Sequence, residues 1–349
     1  MHPLAPLSAL LLIACTQAPA EPAPQAIVST KPTTGLDPAR VRETLATAAR
    51  LPRLRTLLIL RDGREVVAQR FTGPPLDQPV SVKSASKTVL SALAGIAIQR
   101  GVLTGTDQTV ASVLRADMPA NPDPRLLHIT VGNLLSMQSG LERTSGENYG
   151  RWVASPNWVR FALSRPFVAE PGGAMLYSTG NSHILSAMLT RASGRSTHAL
   201  AQDWLATPLG IQIPPWPRDG QGIYFGGNDM LMSPRALAAF GELYRNDGVA
   251  RGRRILPAGW VAQSWRPRTT SPWSGNPYGY GWFSTTARGH PVHFAWGYGG
   301  QMVYIVPDLA LTVVMTSDPS PHPRAESHVP ALNTLLADNI IPAAETGAS

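Results

Sequence analysis

Ser84 and Lys87 are the residues of this chain whose types and spacing most directly suggest chemistry. Residues three apart on a helix share a face, with Cβ atoms about 5–6 Å apart, so a lysine amine can reach a serine hydroxyl. Serine is a weak nucleophile until an adjacent base takes its proton. Lysine serves as that base only where burial or neighbouring positive charge lowers its pKa. The run from Lys87 to Gln99 is nearly continuously apolar and reads as a buried helix ending at Gly101, the surroundings such a lysine needs. The competing reading is a plain helix start with Ser84 as N-cap. Lysine usage weighs against it. Only Lys31, Lys83 and Lys87 occur among 30 basic residues, so a lysine set in an apolar helix is hard to explain as surface decoration.

The elements that must position this pair follow from periodicity and turn signals. Pro38 to Leu51 has helical spacing, with Val41, Leu45 and Ala48 on one side and Asp37 placed as an N-cap. Thr56–Leu60 and Glu65–Phe71 read as strands joined at Asp62-Gly63, a strong hairpin signal. Residues from about 105 to 265 mix helical patterns with many Pro and Gly breaks. Strands are expected again at Tyr278–Thr285, Gln301–Val306 and Ala310–Thr316, with a turn at Pro307-Asp308 and a last helix from Ser327 to Ile340. Strands at both ends with a helical insert do not make a doubly wound parallel sheet. The expectation is an α+β fold: an antiparallel sheet from N- and C-terminal strands, flanked by helices, with a mostly helical insert. The sheet subdomain is placed at about 37–85 and 270–341, and the helical one at about 86–269.

Further motifs stand in order along the chain. Leu134-Leu135-Ser136-Met137-Gln138-Ser139-Gly140-Leu141 comes first, then Pro171-Gly172 before Tyr177-Ser178-Thr179-Gly180-Asn181. Pro208-Leu209-Gly210-Ile211 closes a helix, and Trp296-Gly297-Tyr298-Gly299-Gly300-Gln301 precedes the last strands. With Val82-Lys83-Ser84 to Arg100-Gly101, these resemble the class C β-lactamase and penicillin-binding-protein-like serine hydrolases over about residues 38–341. The Trp-Gly-x-Gly-Gly-Gln form is similar to the branch holding esterases and 6-aminohexanoate-oligomer hydrolases. The resemblance implies a β-lactamase/transpeptidase-like fold and an acyl-enzyme mechanism with no cofactor. It implies Ser84 as nucleophile, Lys87 as its base and Tyr177 as the proton relay to the leaving group. It implies an oxyanion hole from the backbone N–H groups of Ser84 and Tyr298. Substrate contacts are expected at Thr179, Asn181, Trp296, Gly297 and Gly299, with the glycines beside Tyr298 letting substrate approach the main chain. Thr179 departs from the family's Tyr-x-Asn pattern, and Asn181 is a candidate to replace the missing amide. Ala295-Trp296-Gly297 stands where the family usually has Lys-Thr-Gly on an edge strand. The missing lysine tilts the expectation from β-lactams and cell-wall peptides, which carry a carboxylate, toward esters or short amides. A β-lactamase or D-alanyl-D-alanine peptidase, and a silent peptidoglycan-binding lipoprotein, are the alternatives.

Composition bounds the rest. The chain has 349 residues, 43% apolar and 15% charged, which excludes disorder for most of it. One cysteine excludes a disulfide scaffold and a cysteine-built zinc site. His290 and His293, read as lying in a Gly/Pro turn, have no third ligand, so no metal is expected. The net charge is +8, but the densest basic run, Arg251, Arg253 and Arg254, is short for a phosphate-tracking stripe, and nucleic acid is not an expected partner. An anionic polymer bound by arginine clusters is the other rival reading. Trp152, Trp158, Trp204, Trp216, Trp273 and Trp282 are expected mostly in the core, with one or two lining an apolar acyl pocket. Leu4–Ala14 resembles a secretory h-region over residues 1–14, ending at Cys15, the position acylated in bacterial lipoproteins. Residues 15–36, rich in proline, read as a tether. The expected partners are therefore a small ester, amide or β-lactam and a membrane reached through Cys15, in a secreted, lipid-anchored envelope protein.

Overall fold

A computed structural model describes residues 35–321 and 325–346. The signal stretch, Cys15 and the tether up to residue 34 lie outside the described residues. Helix α1 (Pro38–Ala49) starts where Asp37 accepts hydrogen bonds from the Ala39 and Arg40 amides, satisfying two of the free N–H groups of a first turn. Strands β1 (Leu54–Arg61) and β2 (Arg64–Arg70) turn at Asp62-Gly63, both in the left-handed region at φ +48° and +74°. Helix α2 (Ser86–Gln99) follows and is buried from Ser86 to Ala97. The insert contributes α3 (Thr179–Ser193) and α4 (Pro234–Arg245). The chain then returns to the sheet as β3 (Thr269–Thr270), β4 (Pro277–Tyr278), β5 (Phe283–Ala287), β6 (His290–Gly297), β7 (Gln301–Val306) and β8 (Leu311–Ser317).

These eight strands form one antiparallel sheet in the order β2-β1-β8-β7-β6-β5-β4-β3, so the two ends of the chain meet where β1 pairs with β8. Alternation along each strand sends side chains to two separate cores. Leu58, Val303 and Val314 pack with α2, α4 and the insert. Leu57, Ile59, Tyr304, Val313 and Met315 pack with α1 and the C-terminal helical segments, through Leu332, Leu335 and Ile340. Both faces being covered, β7 and β8 are buried throughout, which is why they read as unbroken apolar runs. The architecture is the expected α+β one.

Three expected elements differ. The strand anticipated at Tyr278–Thr285 is two strands, because Gly281 (φ +79°) turns the chain between them and its bare Cα passes Lys87; a Cβ there would lie 2.9 Å from the Lys87 carbonyl. His290 and His293 are in β6, not in a turn. The turn precedes them at Arg288-Gly289, both left-handed. They occupy opposite faces: His290 meets Asp308 at 2.8 Å and Glu345, whereas His293 meets Ser284 at 2.8 Å and stacks on Trp265. The last helix runs Ala325–Leu335 and continues through a widened turn into Ile341–Thr346, past the expected end.

Candidate active site

Ser84 is not a helix cap. It sits on a tight turn, Lys83–Ala85, immediately before α2, whose N-cap is Ala85. Lys83 takes a left-handed conformation (φ +50°), a strain of about 1–3 kcal/mol that the surroundings must over-determine. They do so from two sides. Ser86 Oγ donates to the Lys83 carbonyl at 2.5 Å, and Lys83 Nζ pairs with Asp229 at 2.7 Å. Asp229 also accepts from Ser81 Oγ at 2.7 Å. A short ribbon, Val80–Ser81 with Leu231–Met232, and the Val82 amide on the Met230 carbonyl stitch residues 230–232 to the entry of this turn.

Lys87 is 3% exposed, and its amine lies 3.0 Å from Ser84 Oγ, 3.3 Å from Thr179 Oγ1 and 2.7 Å from the Gly227 carbonyl. Burial holds its pKa down to about 7, with nearby Asp229 pulling the other way. A neutral amine has two N–H donors and one lone pair. Thr179 and Gly227 offer acceptors for the donors, which leaves the lone pair for the serine proton. The Tyr177 ring lies 4.8 Å from the Lys87 amine. Burial pushes its phenol up to about 12, opposed by the Ser84 hydroxyl, so it stays protonated at neutral pH.

Helix α3 positions Thr179 because its N-terminal amides are held by a neighbouring loop. The Thr179 N–H donates to Ser145 Oγ at 3.0 Å and the Gly180 N–H to Thr144 Oγ1 at 2.8 Å. Asn181, by contrast, is not brought to Ser84: it is buried, and its Oδ1 accepts from Ser139 at 2.9 Å. Two residues beyond Thr179, it has turned into the insert and ties α3 to the Ser139 segment.

Strand β6 is internal to the sheet, not an edge strand. Its pairing with β5 stops at Phe294, however, so Ala295-Trp296-Gly297 overhang with an open edge. Gly297 abuts the serine turn: a Cβ there would lie 2.3 Å from the Val82 carbonyl and 3.2 Å from Lys83 Cβ. Gly299 and Gly300 turn the chain into β7 with φ +79° and +95°, and a Cβ at Gly299 would lie 2.7 Å from Pro319. Gly297 and Gly299 therefore serve chain packing and the turn. Gln301 braces that turn, its amide donating to the Ser317 carbonyl at 2.8 Å. Tyr298, between these glycines, is 58% exposed. Trp296 is half-buried against Phe283 at 5.6 Å.

Of the tryptophans, Trp152, Trp204, Trp216 and Trp282 are core and Trp158 is half-buried. Trp273 is 49% exposed and stands edge-on to Tyr177 at 5.2 Å. Ser145, Gly227 and Asp229 are the site residues that sequence reasoning missed. The run Gly226-Gly227-Asn228-Asp229 was a turn signal that could have drawn attention to them; nothing marks Ser145. A separate cavity of about 420 Å³, lined by Asp107, Asn133, Gln138, Arg266 and Arg268 among others, includes none of Ser84, Lys87 and Tyr177.

Comparison with known proteins agrees with this geometry at the level of fold. The family model described as Beta-lactamase matches residues 55–334. No curated protein matches. Among solved structures, a putative 6-aminohexanoate-dimer hydrolase from Bacillus anthracis aligns with TM-score 0.71 at 17% identity, over 92% of this chain and 87% of that one. A putative beta-lactamase from Bacteroides dorei aligns with TM-score 0.73 at 17% identity, over 89% and 99%. EstCE1, a hydrolase with promiscuous acyltransferase activity, aligns with TM-score 0.67 at 19% identity, over 84% and 97%.

Proposed function

The chain belongs to the beta-lactamase family of serine hydrolases, and from that premise we propose that it cleaves uncharged carboxylic esters or short amides through an acyl-enzyme on Ser84. The observation that carries the reading is the buried Lys87 amine, 3.0 Å from Ser84 Oγ and depressed to about 7. Ser84 attacks the substrate carbonyl carbon as Lys87 takes its proton. The amides of Ser84 and Tyr298 receive the oxyanion, each donor contributing about 3–4 kcal/mol. The Tyr177 phenol gives its proton to the leaving group as that group's bond to the carbonyl carbon breaks, and recovers one from protonated Lys87. Water then attacks the ester on Ser84, Lys87 taking the water's proton and returning it to Ser84 Oγ as the acid leaves.

The preference for uncharged substrates rests on charge. Ala295 stands where the family resemblance implies a lysine, and Lys83, beside the nucleophile, is already paired with Asp229 at 2.7 Å. A substrate carboxylate is offered neither cation. Exposed Trp273 and Tyr298 flank the same region and suit an apolar acyl or leaving group.

Turnover of p-nitrophenyl butyrate and nitrocefin by wild type and Ser84→Ala tests this. Ester hydrolysis falling by about 10³-fold or more in Ser84→Ala, with nitrocefin barely cleaved, is the expected result. Activity that survives Ser84→Ala overturns the assignment. Efficient nitrocefin cleavage replaces it with a β-lactamase. The N-terminal residues support a second proposal, that Cys15 is acylated and the enzyme anchored in the cell envelope; radiolabelled palmitate incorporated by wild type but not by Cys15→Ser checks it.

A further inference from the structure

Behind Lys87 lies a second pair of titratable groups that the proposed reaction does not use. His183, one turn after Thr179 on α3, and Asp219 both have fully buried side chains. His183 Nε2 and Asp219 Oδ2 are 3.0 Å apart, and His183 Nδ1 accepts the Gly226 N–H at 3.2 Å. A backbone N–H can only donate, so Nδ1 carries no proton, and the ring is a neutral imidazole donating from Nε2 to the carboxylate. Burial alone would raise the Asp219 carboxyl, but hydrogen bonds from His183 and from the Ile223 and Gln221 amides outweigh it and hold it below its ordinary value. The rings of Trp152, Trp158 and Phe225 enclose the imidazole, with centroids 5.3–6.0 Å away.

The segment fixed in this way is the one that touches the base. A Cβ at Gly226 would lie 2.5 Å from His183 Cα, and one at Gly227 2.7 Å from Lys87 Cγ. Only bare backbone threads between α3 and the lysine stem, and it delivers the Gly227 carbonyl to the amine at 2.7 Å. We infer that His183, oriented by Asp219, is a positioning residue for Lys87: it pins the Gly226–Gly227 backbone whose carbonyl aims the amine lone pair at Ser84. The inference rests on Lys87 being the base proposed above.

The other groups facing Lys87 are the Tyr177 phenol and the Lys83–Asp229 pair, with Tyr149 beyond Asp229. None of them contacts His183 in the hydrogen bonds described. Freeing the Gly227 segment admits water to the lysine stem, and a rehydrated amine titrates higher. The experiment is the pH profile of kcat/KM on p-nitrophenyl butyrate for wild type, His183→Leu and His183→Asn, with circular dichroism as the fold control. His183→Leu removes the acceptor for the Gly226 N–H. His183→Asn keeps an oxygen near the Nδ1 position. His183→Leu is expected to lose about tenfold in kcat with KM nearly unchanged, and its acidic limb to move up by about half a pH unit or more. His183→Asn is expected to restore the limb. A folded His183→Leu with an unmoved limb overturns the inference, as does a rate loss shared by both variants without a shift. Should His183→Leu not fold, Asp219→Asn takes its place, with a smaller shift of the same sign expected and an unmoved limb again fatal. Ser84→Ala separates the two failures: activity left in it defeats the assignment of the site, whereas an inert Ser84→Ala beside an unmoved His183→Leu limb defeats only the role of His183.

Discussion

At the scale of single residues, the amine proposed as the base is also a burden on the fold. Lys87 titrates near 7 in the native state and near 10.5 when exposed. Between those values the unfolded chain binds the extra proton, so native stability rises with pH across that window and carries the full penalty below it. Unfolding by urea at several pH values is expected to show this rise for wild type and its loss in Lys87→Met. The same titration shapes catalysis. With Lys87 as the proposed base, activity requires the neutral amine, so kcat/KM should fall as pH drops below about 7. With its pKa near 12, Tyr177 should add no alkaline limb before the fold itself fails. Tyr177→Phe should lower kcat by about 10²–10⁴-fold. The Ser84–Lys87 pairing was legible in the sequence because the turn that holds Ser84 runs straight into α2, which keeps the three-residue spacing on one face. Ser145 and the Gly227 carbonyl were not, because each reaches Lys87 or Thr179 only through tertiary packing, and a backbone carbonyl has no residue type to read.

At the scale of elements, close approach decides more than propensity. Gly95 lies inside α2, where alanine ordinarily favours a helix by about 1 kcal/mol. Here a Cβ would lie 2.5 Å from the Trp260 indole. Gly95→Ala is therefore expected to destabilise by about 1–3 kcal/mol, measured by denaturant unfolding, with kinetics little changed. Gly297→Ala should behave differently. Its added methyl pushes the overhang of β6 away from Val82 and the serine turn, so kcat should fall by about 10²-fold or more while KM changes less. The hairpin announced by Asp62-Gly63 and the helices expected at Pro38–Leu51 and Lys87–Gln99 appear within a residue or two of their expected places, whereas the last helix runs on to Thr346. The interruption between β4 and β5 was invisible because Tyr278-Gly279-Tyr280-Gly281-Trp282 has the apolar content of a strand. What breaks it is the passage of α2, a long-range neighbour that no local pattern reports.

At the scale of the whole molecule, the fold class followed from the order of elements along the chain, since strands at both ends can only share one sheet by coming together. That the sheet divides two cores did not follow, because continuous apolar runs in β7 and β8 do not say which neighbour covers which face. The closure of the ends is tight: the Asp37 N–H donates to the Ala343 carbonyl at 2.9 Å. A chain cut after Ser317 uncovers Leu57, Ile59, Tyr304 and Val313. It should be recovered as insoluble or dye-binding material, read by solubility and fluorescence of a hydrophobic probe. The pairing of β1 with β8 joins partners as much as 263 positions apart, at Leu54 and Ser317. During synthesis, Ser84 and Lys87 leave the ribosome long before Gly297 and Tyr298 exist. The nascent nucleophile has neither an oxyanion donor across from it nor a sheet beneath it. The proposed site is thus assembled only near the end of translation, once β6 and the strands that carry it have been made.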